Sequence, residues 1–441
     1  MEEERKLKKW KAEIEKAALP EERLEAAIQN GFEHAKTNRR KKWRVVKRSV
    51  FSTVSAAILI LAFAALIRVS PAFANAIASF PGMERIVEMI QDNKGLQMAI
   101  ENDHFQVIDS TDSTENVEVT LKGIITDESS LVAFIEIKYK TNEQIDFVSD
   151  YRILDVDGKD AVNVKNSSSS YHDEDGADLT SIVEIEFNEP LPMEQLMLEV
   201  QFANDTDRSK ITETVRLPFQ VQLQPVKKEQ MKINETTIVE GQAIKINSIT
   251  VGPIKTAVEV EYAPENTKKI FGFEDLRIVD ENGEEWTSIK NGISARYVED
   301  PYKVIYYLQS NYFQSSDELY LEFNKLMALE KDEAFIVIHT ETEDILQQPK
   351  DKRFSNVKMH GSSFMEVELQ GGKDYYHDPF STFYDAEGKE LRSKSGSFSR
   401  VNDKKVTIGV ELPNEDFANP LEFPLHAYPT YIKGDVRVKI K

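Results

Sequence analysis

NVEVTLKGIITDESSLVAFIEIKYK, residues 116–140, is the stretch whose reading decides the fold. Apolar residues alternate at Val117, Val119 and Leu121, then at Val132, Phe134 or Ile135, Ile137 and Tyr139. A period of two sends successive side chains to opposite faces, so this stretch predicts two strands joined by the polar turn at Asp127–Ser130. Patterns of the same kind continue to residue 441, with turn residues roughly every 8–15 positions and no further long helical period. Many short strands with regular turns predict β-sandwich domains.

The strands repeat. FIEIKYKTNEQIDFVSDYRILDVDGKDA (134–161) resembles AVEVEYAPENTKKIFGFEDLRIVDENGEEW (257–286). Each has a strand ending in Tyr (Tyr139, Tyr262), then a strand running into an acidic turn with Gly158 or Gly283. LMLEVQF (196–202) matches LYLEFNK (319–325), and a fainter third copy holds MEVELQ (365–370) and FYDAEGKEL (383–391) with Gly388. The glycine markers are 125 and 105 residues apart, which predicts three stacked sandwiches at 102–225, 226–345 and 346–441.

Working outward toward the N-terminus, the character of the chain changes. Residues 1–48 carry 15 Lys/Arg and 9 Asp/Glu, whereas 69–441 carry 39 and 67. An acidic bulk excludes a large nucleic-acid surface, so no direct nucleic-acid partner is expected. Ser49–Ile67 is a run of 19 residues without a charge, about 28 Å as a helix and close to the ~30 Å of a bilayer core. Eight basic residues, Lys36 to Arg48, precede it. The positive-inside rule then predicts a transmembrane helix over 49–69, a cytoplasmic N-terminus and an extracellular remainder at the cell membrane, with lipid as a partner of the span. The competing reading is a signal peptide, since Ala72-Phe73-Ala74 and Ala74-Asn75-Ala76 both fit a small-x-small cleavage pattern; the long run and the 48 residues before it favour the span.

Before the run, Leu7, Trp10 and Ile14 stand at helical spacing. Pro20 opens a second helix with Leu24, Ala27, Ile28, Gly31, Phe32 and Ala35 on one stripe. Two such helices bury too little to fold alone and call for a partner; the alternative is a frayed basic stretch against the inner membrane face. After the run, 70–101 reads as a juxtamembrane helical segment: Met83, Ile86, Val87 and Ile90 form a stripe, Gly95 a stop, and Leu96, Met98, Ala99 and Ile100 a second short helix.

Chemistry is sparse. There is no cysteine, which excludes disulfides, thiol nucleophiles, iron–sulfur clusters and thiolate zinc sites. None of the seven histidines falls in a metal or catalytic spacing, and no phosphate loop or nucleophile elbow occurs. No catalytic, cofactor or metal residue is therefore expected. The turns at Asp155, Asp280 and Asp385 lack the full ligand set of a calcium loop and read as hairpin turns; HDEDGADL, with Asp173, Asp175 and Asp178, is the best calcium candidate, but the reading favoured is a solvated acidic loop. DPYKVIYYLQSNYF (300–313) and GGKDYYHDPFSTFY (371–384) are Tyr-rich, and Tyr375, Tyr376 and His377 of the second are the candidate loop for an extracellular ligand.

LPEERLEAAIQNGFEHAK (19–36), the basic tract, one apolar run and VSPAFANAIASFPGMERIVEMIQDNKGLQMA (69–99) together resemble membrane-anchored anti-sigma factors of Gram-positive bacteria, in the group with a DUF4179-type outer segment and immunoglobulin-like C-terminal domains. The resemblance implies a cytoplasmic helical segment that binds an extracytoplasmic-function sigma factor and an outer part that senses an envelope signal. It assigns sigma-factor contact to Leu24, Ile28 and Phe32, supported by Trp10 and Ile14, and regulated cleavage to the region of Ala72, Ala74 and Ala76. Without Cys the chain departs from the zinc-binding anti-sigma domains and resembles the zinc-free kind. The alternative is an anchored extracellular structural or binding protein with no sigma-factor partner.

Overall fold

A computed structural model describes residues 84–441, except 141–146, 175–177, 188, 193–194, 205–206, 223–226, 288–293, 299, 362, 374 and 394. The expected cytoplasmic helices, the apolar run and the cleavage region lie outside the described residues. Among the described residues no helix is long and apolar enough to cross a membrane. The chain is mainly β, as its alternation predicts.

Two short helices open the described part, α1 (Glu84–Ile90) and α2 (Lys94–Glu101). Asn93 caps α2, its Oδ1 accepting from the Leu96 amide at 3.1 Å. Gly95 therefore lies in the first turn of α2 rather than ending α1. It is there for clearance: a β-carbon on it would stand 2.6 Å from the Ser310 amide nitrogen.

The first sandwich holds β1 (Gln106–Ser113), β2 (Val117–Thr126), β3 (Ser130–Tyr139), β4 (Phe147–Leu154), β5 (Val164–Glu174), β6 (Asp178–Phe187), β7 (Gln195–Asn204) and β8 (Asp207–Gln220). One sheet runs β1-β2-β3-β6-β5 and the other β4-β7-β8. Val119, Leu121, Ile135 and Ile137 of the first meet Leu198, Val200 and Leu217 of the second in one core. β3 is buried on both faces. Leu131, Ala133 and Ile135 enter the sandwich core, while Val132 and Phe134 pack under the helices with Ile86, Ile90, Leu96 and Ile100. That second cover is why SLVAFIEI reads as a continuous apolar run.

The middle sandwich is built from β9 (Glu229–Val239), β10 (Gln242–Val251), β11 (Lys255–Tyr262), β12 (Lys268–Phe273), β13 (Arg277–Asp280), β14 (Glu285–Trp286), β15 (Ser294–Tyr297), β16 (Lys303–Gln309) and β17 (Leu319–Glu330). Its first sheet is ordered β15-β16-β11-β10-β9 and its second β12-β17-β13-β14. The last sandwich holds β18 (Phe335–His339), β19 (Asp344–Gln347), β20 (Phe354–His360), β21 (Phe364–Gln370), β22 (Thr382–Tyr384), β23 (Glu390–Arg392), β24 (Gly396–Asn402), β25 (Lys405–Glu411) and β26 (Leu421–Pro424), as sheets β19-β18-β26-β22-β23 and β20-β21-β25-β24. The final strand, β27 (Tyr431–Lys439), returns to the middle sandwich and pairs with β17 from Tyr320↔Lys439 to Met327↔Tyr431.

The expected division at 345/346 does not follow these sheets. In the first sandwich β4 and β8 flank β7. β13 and β27 flank β17 in the same way, and β22 and β18 flank β26. The strand that follows β17 in the chain thus completes the last sandwich, and the strand that follows β26 completes the middle one. The two repeats have exchanged their closing strands, so the last sandwich, 331–430, is an insertion within the middle one. Periodicity identifies strands but does not say which sheet a strand joins.

The repeat is sharpest at the acidic turns. Asp155 Oδ1 accepts from the amides of Asp157 and Lys159, Asp280 Oδ1 from Asn282 and Glu284, and Asp385 Oδ1 from Glu387 and Lys389, all at 2.8–3.0 Å. Gly158, Gly283 and Gly388 each adopt φ 80°, the left-handed region. These carboxylates are occupied in holding turns, as the hairpin reading predicts.

Candidate functional site

A cleft of ≈ 750 Å³ lies where the first sandwich, the middle sandwich and the helices meet. Its floor is charged. Lys255 Nζ of β11 is held between the carboxylates of Glu184 and Glu186 of β6, and lies 4.2 Å above the Tyr307 ring. Only 8% of Lys255 is exposed. Burial alone would pull its ammonium down, but the two glutamates outweigh burial and hold it above the usual lysine range. Burial likewise raises Glu186, and Lys255 reverses that to leave it below the usual carboxylate value. One ammonium thus bridges two carboxylates across the seam between two sandwiches, where its loss is costly.

One wall is the helix pair, through Met89, Ile90, Asp92, Asn93 and Leu96. Gln309 fastens it: the Lys94 amide donates to Gln309 Oε1 at 3.0 Å, and Gln309 Nε2 donates to the Asp92 carbonyl at 2.9 Å. Lys94 Nζ adds a bond to the Glu285 carbonyl at 3.0 Å and an ion pair with Glu284. Beneath, Ile254 of the middle sandwich joins the apolar cluster of Ile90, Leu96 and Phe134. The helices therefore bridge two sandwiches. The other walls are β5, through Lys165 and Ser168–Ser170, and β15, through all of Ser294–Tyr297. Arg296 Nε is buried without a hydrogen-bond partner, and Tyr297 is 58% exposed. Burial first, then Glu186, raises the Tyr307 phenol, against Lys255 and Arg296. This arrangement can bind a polar ligand.

A second hollow of ≈ 680 Å³ on the last sandwich is rimmed by Glu341, Glu343, Glu415 and Asp416. Among the described residues no group of three or more His, Asp or Glu is arranged to hold a metal. The side chains of Asp173, Asp175 and Asp178 lie outside the described residues.

The residues singled out from sequence fare differently. Leu24, Ile28, Phe32, Trp10, Ile14, Ala72, Ala74 and Ala76 lie outside the described residues. Tyr375 is not a ligand contact but core: it is 1% exposed, with its phenol oxygen unpaired and pushed up by burial. Tyr376 is 66% exposed but sits under the Arg400 guanidinium at 4.6 Å, and His377 Nε2 lies 3.7 Å from Glu274 Oε1. None of the three lines either hollow. The tyrosines that line the cleft are Tyr297 and Tyr307, the latter in the other Tyr-rich stretch. Lys255, Glu184, Glu186 and Arg296 escaped notice because each reads as one more charge on a strand; their pairing spans about seventy residues.

Among solved structures the chain is similar to "The crystal structure of the conserved domain protein from Bacillus anthracis", with 12% identity and a TM-score of 0.39 over 77% of this chain and 92% of that one. It also aligns with a structure described as "Marsupial T cell receptor", with 5% identity and a TM-score of 0.12 over 70% and 94%. No curated protein matches. Two family models do. Residues 228–350 match a family of unknown function, DUF5643, and residues 42–139 match a domain of unknown function, DUF4179.

Proposed function

We propose that this chain is a single-pass membrane signalling protein that sequesters an extracytoplasmic-function sigma factor inside and reads an envelope signal outside. The observation that carries the reading is the seat of α1 and α2. They are the first described elements after the apolar run, and they are wedged into the seam between two sandwiches, where they wall the cleft. A ligand entering that cleft presses on the two helices, and they continue along the chain toward the span. The match over residues 42–139 supports the same reading, because one family unit includes part of the basic tract, the apolar run, both helices and the first three strands.

In this reading the sandwiches are immunoglobulin-like and extracellular, and the N-terminus is cytoplasmic. Leu24, Ile28 and Phe32 contact the sigma factor, with Trp10 and Ile14 behind them, and no zinc takes part. Burial of such a stripe contributes about 1.5–3 kcal/mol per large side chain. Ala72, Ala74 and Ala76 mark the region open to regulated cleavage. The protein is not an enzyme and uses no cofactor.

The test is to purify the tagged full-length chain from its host and identify what accompanies it. One extracytoplasmic-function sigma factor is expected, lost with Phe32→Asp, which also raises that factor's regulon. If deleting residues 2–35 leaves the cell's response unchanged and no sigma factor is retained, the reading fails, and an anchored extracellular binding protein stands in its place.

A further inference from the structure

The cleft touches Ser294, Ala295, Arg296 and Tyr297, every residue of β15. On a strand, alternate residues point to opposite faces, so a cavity on one face meets every second residue. A cavity that meets four in a row runs along the strand's edge, beside its backbone N–H and C=O groups. Among the described residues β15 is the terminal strand of its sheet, and β5, terminal in its own sheet, lines the cleft with Ser168–Ser170 in a row. Two sheet edges, from two sandwiches, thus face one cleft.

We propose that this cleft takes up an extended, acidic polypeptide segment, which adds as a strand along β15. Edge strands present a template for such pairing, and four residues offer about 13 Å of it. The lining charges balance overall, Lys165, Lys255 and Arg296 against Asp92, Glu184 and Glu186, but the two edges line the cleft only with cations, and that selects the class. Lys255 already holds Glu184 and Glu186. Of the remaining lining charges, Arg296 on β15 and Lys165 on β5 are cationic, against Asp92 at the helix end. Arg296 already bonds Tyr307 and faces the Glu186 charge, but its Nε has no hydrogen-bond partner. A carboxylate from the added strand would pair with the half-buried guanidinium. Tyr297, more than half exposed, gives the segment an aromatic face. The inference deepens the proposed function by naming the ligand class, and it rests on that reading only for the cleft's role as signal input.

The probe is an acetylated, amidated octapeptide of alternating glutamate and valine, titrated onto the purified full-length chain. Its twin carries a methyl on every second backbone nitrogen, so it keeps the charge but cannot pair fully with a strand. The octapeptide is expected to bind and to slow hydrogen exchange at the amides of Ser294–Tyr297. Arg296→Ala and the methylated twin are each expected to weaken binding roughly tenfold or more. Lys165→Ala, at an exposed position, gives a second charge test if Arg296→Ala does not fold, and thermal melting reports folding. Equal binding of the twin would reduce the site to charge alone; full displacement by inorganic phosphate would make it a small-anion site; no binding of the octapeptide would also overturn the proposal. None of these readouts involves a sigma factor, so the two readings fail separately.

Discussion

Gly95 and Ser310 meet so closely that a β-carbon on Gly95 would lie 2.6 Å from the Ser310 amide nitrogen and 3.0 Å from its Cβ. The obstacle is backbone, held in turn by Ser310 Oγ donating to the Gly252 carbonyl at 2.5 Å. Gly95→Ala is therefore expected to push α2 off the middle sandwich, although alanine favours helix. The cost should be about 1–3 kcal/mol. Faster hydrogen exchange in α2, with the last sandwich unchanged, is the signature; an unaltered α2 would contradict the close approach.

Lys255→Met should be more damaging. It leaves Glu184 and Glu186 facing each other in the seam without their cation, and removal of one partner from a buried pair costs about 3–5 kcal/mol. Replacing all three with apolar residues of similar size should recover much of that loss. Denaturant titrations of the single and triple variants measure both. Equal stability of the two would mean the seam is wet enough to screen the charges.

Acid should loosen the helix pair. His104, just beyond α2, packs against Phe313 with ring centroids 4.8 Å apart. Burial lowers its imidazole below the ordinary value of 6.5, with Asp103 opposing. The unfolded state then takes up the proton first as pH falls. Stability is full above about pH 6.5 and declines as pH drops from there toward the folded value. His104→Gln should flatten the part of the pH–stability profile just below 6.5, as followed by exchange of the α2 amides.

Removal of residues 431–441 should undo more than its length suggests. β17 would lose its partner along Tyr320–Met327, and the middle core would lose Ile432 and Val438. The core of the last sandwich includes Met327 and Leu329 of the same strand, so both sandwiches should destabilise together. Limited proteolysis should then leave the first sandwich as the surviving fragment. Survival of an intact middle sandwich would show that β27 is dispensable.

Much of this architecture was legible in the residues. Alternation found the strands, and three acidic turns 125 and 105 residues apart marked three related sandwiches. It worked because Val119, Leu121 and Ile137 obey a local rule, burial on one face of a sheet. The exchange of β18 and β27 was hidden because each reads as a proper strand in either sheet. Gly95 looked like a helix stop because sequence records its flexibility, not the Ser310 backbone beside it. Tyr375 looked like a loop aromatic because GGKDYYHDP is turn-rich, yet its ring fills the last core. The cleft was least legible of all: Lys255 and its glutamates are ordinary alternating charges until two sandwiches come together.

The returning strand also sets a timetable. About a hundred residues separate β17 from β27, so the middle sandwich cannot close until the ribosome has passed residue 439. The first sandwich is free to form early, but the other two must mature together, through a contact of long sequence separation that slows folding. Until then β17 offers one bare edge, and an unfinished molecule is recognisable as unfinished to any protease or chaperone that reads such edges.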